Sequence, residues 1–107
     1  MSERLLVLTT LATAEDADRL AGALVERRLC ASVSVLPPVR SVYRWKGAVE
    51  PEDERILLMK TRVDRWPALR DAVLAMHPYE VPELVAVPIE AGSPAYLEWL
   101  DASVRED

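Results

Sequence analysis

The chain has 107 residues, 50% of them hydrophobic and 29% charged, the balance of one ordinary globular domain rather than a disordered or membrane-spanning chain. Thirteen Lys and Arg against eighteen Asp and Glu leave a formal charge of −5, the wrong sign for a surface that binds nucleic acid or an anionic membrane. A lone Cys30 excludes an intramolecular disulfide, Met1–Arg4 carries no signal-peptide pattern, and no apolar run approaches the roughly 20 residues of a membrane span, so a cytoplasmic protein is expected.

In chain order, Leu5–Leu8 is an unbroken apolar run extended by Thr9, Thr10 and Leu11, which suits a central strand. Thr13 with Asp16 three residues on resembles a capping box. Ala17, Leu20, Ala21, Leu24 and Val25 then recur at helical spacing, and Arg27 and Arg28 close that helix where cations favour its dipole. From Cys30 the period becomes two. Alternation runs through Ala31, Val33 and Val35, is interrupted at Pro37 and Pro38, and resumes to Trp45, which predicts one long, bent edge strand. The chain turns at Gly47, and after the acidic run Glu50–Glu54 a third strand returns as Ile56–Met59.

Asp64 opens a second helix with Pro67 in its first turn and a buried stripe of Trp66, Leu69, Ala72, Val73 and Met76. His77 precedes Pro78, which disfavours helical geometry at the histidine and ends the helix there. Leu84–Ile89 is a fourth strand. Ser93 and Pro94 supply an N-cap and a first-turn proline for a last helix carrying Tyr96, Leu97, Trp99, Leu100 and Val104.

The order strand, helix, strand, strand, helix, strand, helix is that of an α+β, ferredoxin-like (split βαβ) domain with an added C-terminal helix, a single domain over 1–107. At roughly 3.3 Å per residue, Cys30 to Trp45 spans about 50 Å, against a radius of gyration of about 13 Å for a domain of this size. The hairpin must overhang its own domain. An overhanging edge with Val42, Tyr43 and Trp45 invites strand pairing unless covered, so a closed oligomer is expected.

The stretch Leu36–Gly47 resembles the long-hairpin signature of the CutA divalent-ion tolerance proteins. So do Leu58–Thr61, His77–Leu84 and Pro94–Leu100. The resemblance runs from Leu5 to Val104 in the same element order. It implies a ferredoxin-like subunit of a homotrimer, similar in architecture to PII signalling proteins, and a role in tolerance of copper and other divalent cations. Copper-binding members are similar around the segment matched by His77. They carry a cysteine near the end of the first strand, where this chain has Thr9, and some carry a second histidine where it has Met76. A cysteine common in the second strand falls at Ser32, two residues after Cys30. His77, Met76 and Cys30 are therefore the candidate ligands of a divalent metal, copper first, since thiolate, thioether and imidazole suit that ion.

Other readings of the same residues stay open. His77 can equally serve as a helix-terminal residue, and Cys30 as a small buried hydrophobe. The acidic run reads as a solvated hairpin tip that can also attract cations. Tyr43, Trp45 and Tyr79 suit subunit-interface packing or the walls of a cleft, with Arg44, Lys60, Glu80 and Glu83 as its polar members. No nucleophile elbow, phosphate loop or zinc-binding pair is present, so a binding protein rather than an enzyme is expected. Two functions follow: a trimeric, metal-binding cation-tolerance protein, or a PII-like signalling or scaffolding trimer that holds a small molecule or protein partner between subunits.

Overall fold

The alternation of apolar side chains positions the sheet. A computed structural model describes residues 3–106; Met1 and Ser2, which belong to the expected leaderless start, lie outside the described residues. In β1 (Arg4–Leu11), Val7, Thr9 and Leu11 are fully buried, while Leu6 and Leu8, on the opposite face, are half-buried. β1 is the central strand. It pairs antiparallel with β4 (Ala48–Arg62) in the register Val7↔Met59, and with β5 (Leu84–Pro88) in the register Val7↔Ala86. The sheet order is β2-β4-β1-β5, with β2 at Ser32–Val35, as a ferredoxin-like α+β domain requires.

Two helices cover one face. α1 (Ala14–Glu26) contributes Ala17, Leu20 and Leu24, and α2 (Trp66–Met76) contributes Leu69, Ala72 and Val73, all in one core with Val7, Leu11, Leu57 and Met59. Thr13 caps α1 by accepting the Asp16 N–H at 3.1 Å. The other end of α1 is not the expected pair of dipole-facing cations. Arg28 adopts φ 58°, the Leu29 N–H donates to Leu24 O and the Arg28 N–H to Val25 O, the pattern of a Schellman motif with arginine in the left-handed position. A 3₁₀ turn at Val63–Arg65 precedes α2 and occupies the place where Asp64 was expected to open the helix itself. α3 (Pro94–Ser103), capped by Ser93, packs Leu100 and the following Val104 on Ala31. The guanidinium of Arg4 grips both carboxylate oxygens of Asp101, at 3.0 and 2.7 Å, and Arg62 adds a third contact at 2.8 Å.

The expected long strand from Cys30 to Trp45 is two strands. Leu36–Pro38 breaks the ladder, because proline has no N–H to donate, and leaves β2 and β3 (Val39–Trp45) both pairing with β4. β2 begins at Ser32, so Cys30 lies before the strand, with Cys30 and Ala31 both buried instead of alternating. The acidic run is not a tip. Glu50–Glu54 belongs to β4, where Val39↔Glu54 and Tyr43↔Glu50 are in register. The actual turn is Lys46 and Gly47, at φ 50° and 84°, positive at both central residues as a type I′ hairpin demands. The β3–β4 hairpin stretches the molecule to 44 Å along one axis against 25 and 24 Å along the others.

Candidate functional site

Where the hairpin leaves the sheet, it faces the segment between α2 and β5 across a cleft of about 770 Å³. His77 is the C-cap of α2, with ψ 132°, the extended conformation that a following proline favours. Its side chain is buried. Nε2 lies 2.7 Å from the Thr10 carbonyl oxygen, which can only accept, and Nδ1 accepts the Tyr79 N–H at 3.2 Å. These partners assign the neutral, Nε2-protonated tautomer. Both ring nitrogens are thereby engaged within the chain.

The histidine orders the segment on its C-terminal side. Tyr79 packs its ring against the imidazole, with centroids 4.7 Å apart in an edge-on arrangement, and its hydroxyl donates to Glu54 Oε2 at 2.8 Å. Across the hairpin the Tyr43 hydroxyl donates to Glu52 Oε2 at 2.6 Å. Burial, then the hydrogen bond to Glu54, pushes the Tyr79 phenol above its ordinary range; Tyr43 is pushed up to about 12, first by its bond to Glu52. Both hydroxyls therefore stay protonated donors. The Thr9 hydroxyl donates to Glu83 O at 2.6 Å and pins the end of the same segment.

The expected residues fall into two groups. Tyr43, Arg44, Trp45, Tyr79, Glu80 and Glu83 all line the cleft. Lys60 does not: it sits six residues along β4 from Glu54, roughly 20 Å away at the rise of a strand, beside Ser34 Oγ at 3.4 Å. Nor do the three candidate metal ligands meet. Ala31 hydrogen-bonds Lys60 O, which places Cys30 near the Leu5 end of β1, whereas His77 bonds Thr10 at the other end, roughly 15 Å away. Cys30 belongs to the core, and burial pushes its thiol up to about 12. Met76 packs against that core. Among the described residues no three His, Cys, Asp or Glu side chains are grouped to hold a metal ion.

Sequence reasoning placed Glu54 in a solvated hairpin tip and missed its burial. It is 5% exposed and the only carboxylate buried among the described residues. The signal was present as period two: Glu52, Glu54, Ile56 and Leu58 share one face once β4 is extended back to the turn.

The fold and this site define a class: a ferredoxin-like α+β domain with an overhanging hairpin, and beneath it an acidic cleft with aromatic walls. The chain belongs to the family described as CutA1 divalent ion tolerance protein, whose model matches residues 5–103. It is 48% identical over 94 residues to the divalent-cation tolerance protein CutA of Thermus thermophilus, covering 88% of this chain and 91% of that protein. It is 42% identical over 102 residues to the chloroplastic protein CutA 1 of Oryza sativa, covering 95% of this chain but only 58% of the plant protein. The structure described as the periplasmic divalent cation tolerance protein CutA from Archaeoglobus fulgidus superposes with a TM-score of 0.92 at 35% identity, covering 95% of this chain and 99% of that one. Family membership carries the role in divalent-cation tolerance.

Proposed function

We propose that this protein serves divalent-cation tolerance as a non-enzymatic homotrimer, binding its ligand in the cleft beneath the hairpin. One observation supports the assembly above the rest. The helices cover only one face of the sheet, and the other presents Leu6, Leu8, Ile56 and Leu58, half-buried, with Val85 and Val87 nearly half exposed. An apolar sheet face of this extent, beside a hairpin with Val42 and Val49 more than half exposed, calls for cover by other copies. Divalent cations, copper first among them, are in this reading what the cell is protected against and not ions chelated by His77.

Support for a non-enzymatic role comes from the cleft and its surroundings: its phenols are fixed donors, and the buried histidine behind Tyr79 is committed to the backbone. A cytoplasmic location is proposed from the sequence; relatives are described as periplasmic and chloroplastic, and fractionation of the native host tests it. No helix among the described residues is long and apolar enough to cross a membrane.

The reading is tested in a host lacking its own homologue and grown on toxic copper. The wild-type chain should restore growth, and Leu58→Glu, which charges the open sheet face, should not. Failure of the wild type to restore growth would contradict the reading. Copper titrated calorimetrically into wild type and His77→Ala should give the same weak heats.

A further inference from the structure

The open sheet face carries an opposite charge at each end of an apolar stretch. Along β4, Glu54, Ile56, Leu58 and Lys60 alternate onto it, beside Leu6, Leu8 and Thr10 of β1 and Ser32 and Ser34 of β2. Arg4 and Arg62, at the far margin of the same face, are held by Asp101. Glu54 and Lys60 have no such partner. Neither reaches ion-pair distance of an opposite charge among the described residues. Each touches one neutral group instead, the Tyr79 hydroxyl for Glu54 and Ser34 Oγ for Lys60.

In a single chain water serves both charges. Once another copy covers the face that water is lost, and a charge removed from water needs an opposite charge beside it. The two cannot serve each other within one chain, because six residues of strand hold them roughly 20 Å apart. A second copy satisfies both needs, since it brings one amine and one carboxylate to the same covered face. The other cations are spoken for by position: Arg44 and Lys46 sit on the hairpin, and Arg4 and Arg62 are already paired.

The shape sets the direction of the contact. The hairpin carries the Glu54 end of the face outward along the 44 Å axis, whereas Lys60 lies back on the body, opposite Leu6 and Ser32. Laying one copy's hairpin end over the next copy's body is a head-to-tail contact, which closes into a ring on repetition. We propose that Lys60 of each copy pairs with Glu54 of the next, so that the hairpin cleft is completed by a neighbour's amine. The pairing rests on the trimer reading above and assigns the contact that specifies it.

Association of the full chain is followed by light scattering over a dilution series, in urea sufficient to bring the wild-type midpoint into the micromolar range, with circular dichroism on the same samples. Lys60→Met and Glu54→Gln should each raise the midpoint at least about tenfold, because each leaves the other charge buried alone. The double variant should be no weaker than the worse single one, whereas independent effects would multiply to about a hundredfold. Groups this far apart in one chain do not couple, so non-additivity locates the contact between copies. Lys60→Arg keeps the charge and leaves Glu54 untouched; it should associate nearly as wild type does, a comparison that holds even where Glu54→Gln fails to fold. The proposal is overturned if Lys60→Met associates as wild type does, if Lys60→Arg is as weak as Lys60→Met, or if the single effects multiply in the double variant. A wild-type monomer ends the trimer reading together with this one, whereas a trimer whose variants are additive ends this one alone.

Discussion

The helix-covered body and the β3–β4 hairpin use the same backbone ladder with opposite consequences. In the body, β4 residues Leu57, Met59 and Thr61 are buried under α1 and α2; a few positions earlier in the same strand, Val49 is 60% exposed and its neighbours Glu50 and Glu52 face water. A two-stranded ribbon without a core is marginal by itself, so the hairpin's hydrogen bonds are not what keeps it ordered. In the proposed trimer it is a partner for other copies, and within the chain it is one wall of the cleft. The body supplies stability and the hairpin supplies contacts.

That comparison can be broken in order of effect. Leu24→Ala in the body should cost about 2–5 kcal/mol of unfolding free energy, the range for emptying a buried leucine site, read by chemical denaturation; a loss below about 1 kcal/mol would mean that the body is not the stable half. In the hairpin, Gly47→Ala forces a side chain into φ 84° and should cost about 1–2 kcal/mol, appearing as weaker association with the body's secondary structure intact. Removing the α1 cap by Thr13→Ala should cost about 1 kcal/mol and leave association unchanged. The smallest effect is electrostatic. Hydrogen bonding from Arg4, reinforced by Arg62, holds the Asp101 carboxyl below its ordinary 3.8. Its stabilising contribution is therefore complete above that value and is lost as pH falls through the lower folded-state value. Denaturation followed from about pH 5 downward should show a shallower decline for Asp101→Asn than for wild type, and added salt should narrow the difference, since this cluster is about a quarter exposed.

The body was legible in the sequence because local signals and burial agree there. Thr13, the Leu20 and Leu24 stripe, Ser93 with Pro94, and the helix stop at His77 each have one physical solution, and the structure adopts it. The hairpin was less legible. Pro37 and Pro38 looked compatible with a bend, but two adjacent missing donors end the ladder. The run Glu50–Glu54 looked like a loop because charge usually marks solvent, yet pairing with β3 makes it a strand and turns Glu54 inward. The cleft's aromatic members could be named from their segments. Which carboxylate sits at its floor depends on β4 register, and register is decided by the Lys46–Gly47 turn and the β1 pairing together. The expected copper ligands diverged for a geometric reason: Cys30 and His77 follow different helices, which end at opposite ends of β1.

The central claim, that the open sheet face and the hairpin are completed by other copies of the chain, is tested most directly by the mass in solution at micromolar concentration. Light scattering should give three times the chain mass of 12.0 kDa, with Leu58→Glu lowering it while retaining the body's circular dichroism. A wild-type protein that scatters as a stable, folded 12.0 kDa monomer would contradict it.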